Sequence, residues 1–429
     1  MLKDLLKKLY PLRLAPVSPD TDKFVSLICK ELPFKVHEFK SGDEYNGWVV
    51  PQNWYPIKAQ IVRKGKLIYD GMTSILGVIG SSQSFKGKLS LDELKKHLFF
   101  KAANPDAIVY HCDLYYKVGK KNWGISVPFT FYNSLVQGEY EVDLETVHSN
   151  GTMKVCDYFI QGKVNETIVL NAHNCHMGQA NDDISGVVVG IEVMKQLAKR
   201  KNHYSYRLII APEHFGTVFY LANIPKEIRK TFKCCMFLEM LGNFNRLALQ
   251  ETFTGTSELD TAAHHYLRQT HSDYFSDKFR KIVGNDETVW EAPGYEVPTI
   301  SLSRWPYNEY HTNLDNDSII SEDMLQDSVK SILGIIDVLE NNRCIKRKFE
   351  GLIALSNPKY NLYFSTEDPS LLIKVSSEQK KWNYLMDCLP RYFDEKTSIL
   401  DIAVKHDLPF AEVHAYLKKF KEKDLIEFV

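Results

Sequence analysis

Asn171-Ala-His-Asn-Cys-His-Met-Gly-Gln-Ala-Asn-Asp-Asp-Ile-Ser-Gly186 begins in the last residues of an apolar run, Thr167–Ala172, and leads into Ile184–Leu197. A short apolar run ended by a polar turn predicts a buried strand, and the apolar spacing of 184–197 predicts a helix after it. The same alternation continues downstream. Arg207–Ala211, Cys234–Leu241 and Thr299–Leu302 read as strands, and the neighbourhood of Thr217–Ala222, Glu258–Thr270 and Met324–Glu340 as helices. Alternating apolar strands and helices predict an α/β domain over 136–345, a mainly parallel sheet flanked by helices. Such sheets carry their sites in loops beyond the carboxyl ends of the strands, so chemistry is sought there.

Around this domain the texture changes. Residues 1–33 read as N-terminal helices packed on it. From 34 to 135, short β-branched and aromatic runs separated by Gly, Asp and Asn read as an inserted β-rich domain: Phe34–Phe39, Trp48–Pro51, Ala59–Ile61, Lys66–Tyr69, Ile108–His111 and Trp123–Ser126. Residues 346–429 read as a linker with a strand-like piece at Tyr360–Phe364, then helices over Gln379–Cys388, Ile399–His406 and Phe410–Lys421 and a strand at Leu425–Val429. Three helices and a strand in that space predict a winged-helix domain.

A chain of 429 residues is expected to form two or three domains, and 53 Lys+Arg against 54 Asp+Glu give the whole no bias toward polyanions. Lys3, Asp4, Lys7 and Lys8 interrupt the apolar start at helical spacing, which predicts an amphipathic helix and not a secretory signal. No stretch is long and apolar enough to span a bilayer. The eight cysteines show no framework spacing, which predicts reduced thiols and a cytoplasmic location.

Four polar clusters fall just past predicted strands. The first supplies His173, His176, Asp182 and Asp183, and the second is Ala211-Pro-Glu-His-Phe-Gly216, with Glu213 and His214. The third is Glu239 in Leu238-Glu-Met-Leu-Gly242, and the fourth is Glu309-Tyr-His-Thr-Asn-Leu-Asp315, with Tyr310 and His311. Each alone has a plain structural explanation. Asp182 and Asp183 suit a helix start, and Glu239 is either a ligand or satisfied by a neighbouring donor. Four successive strand ends that each present His or carboxylate predict one crevice. Neutral imidazole and carboxylate oxygen are the donors zinc takes in hydrolytic sites.

These clusters, together with Gly284-Asn-Asp-Glu-Thr-Val-Trp-Glu-Ala-Pro-Gly-Tyr-Glu-Val-Pro298, resemble the zinc aminopeptidases of the co-catalytic metallopeptidase class. More closely, the whole chain is similar to bacterial aminopeptidase-like proteins associated with surface-polysaccharide gene clusters, which carry an inserted β domain and a C-terminal winged helix. The resemblance implies Asp182 as the bridging or central metal ligand, His173 or His176 as the first histidine, Glu239 as the acidic ligand and His311 as the ligand of the late loop. It implies Glu213 as the general base that takes a proton from water activated by the metal. His214 departs from the class, which has a second Glu there; it would still be able to bind zinc, as one ion or two. Asp286, Glu287 and Tyr310 would meet the substrate, the carboxylates by holding a free α-amino group. A turn capping the loop before Trp290 explains Asp286 and Glu287 equally well.

The function implied is a zinc-dependent aminopeptidase or related amide hydrolase acting on a small peptide or amide. The alternatives are an amidohydrolase or acyltransferase acting on an amino-sugar or polysaccharide precursor, or an inactive winged-helix regulator or scaffold. The last predicted helix begins Pro409-Phe-Ala-Glu-Val, without Arg, Asn or Gln, and Glu412, Glu422 and Asp424 lie among its lysines. A protein contact is therefore expected of the winged helix in preference to DNA. Association with a membrane is not expected, and self-association is left open.

Overall fold

The computed structural model describes residues 1–117, 119–363 and 377–429. Thr167–His173 is buried at every position, as expected of a strand covered on both faces. It lies inside an eight-stranded mixed sheet whose strands are numbered here in chain order: β1 Lys35–Lys40, β2 Thr152–Ile160, β3 Thr167–His173, β4 Ser205–Ala211, β5 Phe232–Leu238, β6 Leu247–Gln250, β7 Phe275–Asp277 and β8 Thr299–Arg304. Their spatial order is β1-β2-β4-β3-β5-β8-β6-β7. The neighbours β4, β3, β5 and β8 run parallel, so their carboxyl ends share one edge. The outer pairings β1–β2, β2–β4 and β6–β8 are antiparallel. The connection from β3 runs to β4 on one side and the connection from β5 runs to β6 on the other, so a crevice opens between the carboxyl ends of β3 and β5.

The helix Gly186–Leu197 follows β3 and buries Val187, Val188, Val189, Ile191, Val193, Met194 and Leu197. Gly186 is required by close approach: a Cβ there would lie 2.1 Å from the Leu238 carbonyl oxygen. At the other end of the sheet, Asp157 on β2 is 5% exposed. It accepts hydrogen bonds from Arg207 Nη1 on β4 and from the Tyr220 hydroxyl (3.0 Å), and His37 Nε2 lies 3.4 Å away.

A separate four-stranded antiparallel sheet has the order Lys66–Asp70, Asn53–Arg63, Glu139–Ser149, Phe85–Ser90. Its strand boundaries differ from those read in the sequence. Lys35–Lys40 is the edge strand β1 of the central sheet, whereas Glu139–Ser149 belongs to the inserted sheet. The start of Glu139–Ser149 alternates buried and exposed residues, the pattern of a sheet with one covered face. Ile108–His111 is not a strand, since only Val109 bridges, to Thr312. β6 and β7, of four and three residues, are too short to leave a periodic signal. The amphipathic start is confirmed as a helix, Leu2–Leu9, with Leu2, Leu6 and Leu9 buried.

The chain divides into two units, Met1–Gly255 with Phe275–Lys330, and Thr256–Tyr274 with Ser331–Val429. The helix Glu258–Thr270, read in sequence as part of the α/β domain, thus belongs to the second unit. That unit also holds an antiparallel sheet of Cys344–Arg347, Asp394–Ser398 and Ile426–Phe428 and the helices Ser377–Cys388, Ile399–His406 and Phe410–Glu422. Tyr360–Tyr363 is in no strand, and Phe364 lies outside the described residues. None of the described helices is long and apolar enough to cross a membrane, and the cysteines form no disulfide among the described residues.

Removing Asp157 would leave Arg207, whose side chain is 11% exposed, without its counter-charge. Asp157→Ala is expected to lower unfolding free energy by roughly 3–5 kcal/mol, measured by urea denaturation of both proteins.

Candidate metal centre

Each of the four parallel strands delivers one part of the site at the shared edge. His173 ends β3. Glu213 and His214 lie two and three residues past Ala211, the end of β4. Glu239 immediately follows β5, and His311 lies on the loop beyond β8. The turn 180–185 is irregular, and Asp182 leaves helical geometry there (φ −104°, ψ 86°).

Asp182 is the meeting point. Its Oδ1 lies 3.4 Å from His173 Nε2 and 4.0 Å from His176 Nδ1, and its Oδ2 lies 3.0 Å from His311 Nε2. Glu239 Oε2 is 3.7 Å from His173 Nε2. Three groups of donor atoms lie close enough to hold an ion: His176–Asp182–His311, His173–Asp182–Glu239, and His173–Cys175–His176–Asp183. The first two share Asp182.

The donors fit a cation. His173 Nε2 and His311 Nε2 are buried and have no hydrogen-bond partner, although each faces a carboxylate oxygen. Nitrogen and carboxylate facing one another without hydrogen-bond geometry leave room for a shared positive ion, and at His173 and His311 they do so inside the donor groups. The charges around them agree. Burial opposes protonation of His173, yet the Asp183 carboxylate overrides it and holds the ring well above the ordinary histidine range. Burial also pushes Glu239 up to about 7. Buried groups of this kind are stabilised by pairing or by coordinating a metal.

A second layer orients the donors. Asp183 Oδ2 accepts the Cys175 N–H (2.6 Å) and the His176 N–H (3.1 Å) and lies 3.1 Å from His173 Nδ1. Asp315 accepts the Asn181 and Asp182 N–H groups (2.6 and 3.1 Å) and the Tyr307 hydroxyl (2.7 Å). The Asp182 turn is thereby tied to the loop that carries His311. Glu239 receives hydrogen bonds from Asn285 Nδ2 and Ser301 Oγ (3.1 Å).

Glu213 is 13% exposed, with Oε2 3.6 Å from His176 Nε2 and Oε1 3.4 Å from His214 Nδ1. Its N–H donates to Cys175 Sγ at 3.2 Å. His214 lies outside all three donor groups and stacks on Trp48, with ring centres 5.7 Å apart. Its backbone is left-handed in φ (+55°), and its N–H donates to Asp286 Oδ1 at 2.5 Å. Asp286 is fully buried and also accepts the Thr217 hydroxyl. Glu287, equally buried, accepts the Asn285 N–H and Gln250 Nε2 and faces Arg280. Both carboxylates are thus engaged inside the protein. Tyr310 stacks on His311 at 3.9 Å.

The inserted segment contributes residues that sequence reasoning did not single out. Tyr110 packs edge-on against His176 and His311 at 4.9 and 5.2 Å, and its N–H donates to the His311 carbonyl (2.8 Å). Lys101 Nζ donates to the Asn308 and Tyr310 carbonyls (3.1 and 2.7 Å). Trp48, Cys112 and Tyr116 join His176, Asp182, Glu213, His214, Asn285, Tyr310 and His311 in lining a cavity of about 270 Å³. No periodicity or motif marks these positions. Asp183 and Asp315, by contrast, stood inside the quoted motifs.

The fold is similar to that of zinc aminopeptidases. The structure aligns with a zinc aminopeptidase from Bacillus subtilis at a TM-score of 0.58 and 14% identity, over 78% of this chain and 93% of that one. It aligns with a "putative peptidase" from Clostridium acetobutylicum at a TM-score of 0.82 and 27% identity, over 100% of this chain and 96% of that one. A curated protein of the same organism is 29% identical over 99% of this chain and 96% of its own length, and is called "Putative polysaccharide biosynthesis protein with aminopeptidase-like domain". Residues 3–342 match the family model described as Domain of unknown function (DUF4910), and the chain belongs to that family.

Asp183→Ala removes the group that orients two imidazoles. Zinc affinity, measured by competition with a chromophoric chelator, is expected to fall about 10–100-fold.

Proposed function

We propose that this protein is a zinc-dependent hydrolase of amide bonds, with Glu213 as general base. The observation that carries the reading is the convergence of His173, His176, Asp182, Glu239 and His311, with Glu213 at its edge. Two donor groups sharing Asp182, each with an orphaned imidazole nitrogen, favour two ions over one. His173, Asp182 and Glu239 would hold one, and His176, Asp182 and His311 the other. Zinc bound there would supply Lewis acidity, polarising a substrate carbonyl and acidifying water.

The protein's own groups move the proton. Glu213 accepts it from the attacking water and returns it to the leaving nitrogen. His214 Nδ1 lies 3.4 Å from Glu213 Oε1 without a hydrogen bond, and His214 is not assigned as a ligand. Asp286 positions the Glu213–His214 turn, a role inside the protein in place of one toward substrate. Tyr310 is retained as a substrate-facing wall on the cavity.

In the second unit, the helices and antiparallel sheet support a winged-helix reading. The acidic residues among its lysines favour a protein contact over DNA.

Glu213→Gln keeps size and removes basicity. Its kcat toward amide substrates is expected to fall about 10²–10⁴-fold, with zinc content by atomic absorption unchanged. A variant as active as the parent removes Glu213 from this role.

A further inference from the structure

The cavity beside the donor groups says what kind of amide fits, given the hydrolase reading above. An aminopeptidase substrate carries an α-ammonium next to the scissile carbonyl, and a buried ammonium needs a counter-charge. The carboxylates lining the cavity are Asp182 and Glu213. Asp182 faces three imidazoles, and Glu213 is the base, which an ion pair with substrate would weaken. Asp286 and Glu287 are fully buried and engaged with the Thr217, His214, Asn285, Gln250 and Arg280 groups. Among the described lining residues no carboxylate remains for an ammonium, and none is lysine or arginine.

What the lining does offer is neutral. Trp48 stacks flat on His214 (8° between planes), and its edge meets Phe215 and Tyr116. Tyr116 and Tyr310 bring phenols to the cavity wall. Aromatic faces cover apolar or ring surfaces, and a phenol both donates to and accepts from uncharged carbonyl and hydroxyl groups.

We infer that the substrate is a neutral N-acylated amine, with no ammonium beside the scissile carbonyl, and that Trp48 and Tyr116 of the inserted segment select it. The volume of about 270 Å³ suits one amino-acid residue or one sugar ring. In the reaction, water oxygen bonds to the acyl carbon and the carbon–nitrogen bond breaks. One water proton passes through Glu213 to the leaving nitrogen, and the other, lost as the new acid ionises, protonates the amine, giving a carboxylate and an ammonium.

Calorimetric titration of the zinc-loaded full chain with two pairs of compounds tests this. The pairs are N-acetyl-L-leucinamide with L-leucinamide, and N-acetylglucosamine with glucosamine, which separate an amino-acid source from a sugar source. The N-acetyl member of at least one pair is expected to bind about tenfold or more tightly than its free amine. Trp48→Ala is expected to abolish that preference without changing zinc content. Equal or tighter binding of both free amines overturns the inference, as does failure of both N-acetyl compounds to bind at up to about 10 mM, and so does a Trp48→Ala variant with the parent's preference. Release of amine from the same compounds separates the two readings. Hydrolysis of leucyl anilide but of no N-acetyl compound overturns the inference and leaves the hydrolase reading standing. An N-acetyl preference in binding with no amide cleaved at all overturns the hydrolase reading and supports the inferred ligand class.

Discussion

Asp182 is 2% exposed, and three imidazoles lie within 4.0 Å of its oxygens, with Asp183 and Glu239 equally buried beside them. Removing several carboxylates from water costs several kcal/mol per ion unless charge and hydrogen bonds compensate. The rest of the unit supplies that compensation. Backbone N–H groups point at Asp183 and Asp315, side-chain donors reach Glu239, and the imidazole nitrogens left over face the carboxylates as a cation site would require. The parallel sheet makes the meeting possible, because only parallel neighbours bring successive strand ends to one edge.

The same demand explains where the backbone departs from ordinary conformations. His214 and His311 both have φ near +55°, which costs a non-glycine residue about 1–3 kcal/mol. Each is restrained by a neighbour from elsewhere in the chain. The Asp286 carboxylate holds the His214 N–H, and the Tyr110 N–H holds the His311 carbonyl. In both cases the constraint aims a side chain at the cavity.

The inserted segment is therefore more than an appended sheet. Its own sheet packs around a separate core that includes Trp54, Ile61, Tyr140 and Leu144, while Lys101, Tyr110 and Val109 engage the loop carrying His311. Trp48, Cys112 and Tyr116 form part of the cavity wall. One region thus supports the geometry of the donor groups and sets the chemical character of the space beside them.

The α/β order, the helices, and the residues at each parallel strand end were legible in the sequence, because apolar runs, helical periodicity and turn residues are local signals. His173, Asp182, Glu239 and His311 could be named as a set because each directly follows or closely trails a recognisable strand. Tertiary structure decided the rest. That Glu139–Ser149 joins the inserted sheet and Lys35–Lys40 the central one depends on pairing partners about a hundred residues away. That Asp286 and Glu287 face inward, that His214 turns to Glu213 and Trp48, and that Tyr110 reaches the loop carrying His311 depend on contacts between distant segments. Side-chain direction and burial are properties of the packed chain, and no local pattern of residues encodes them.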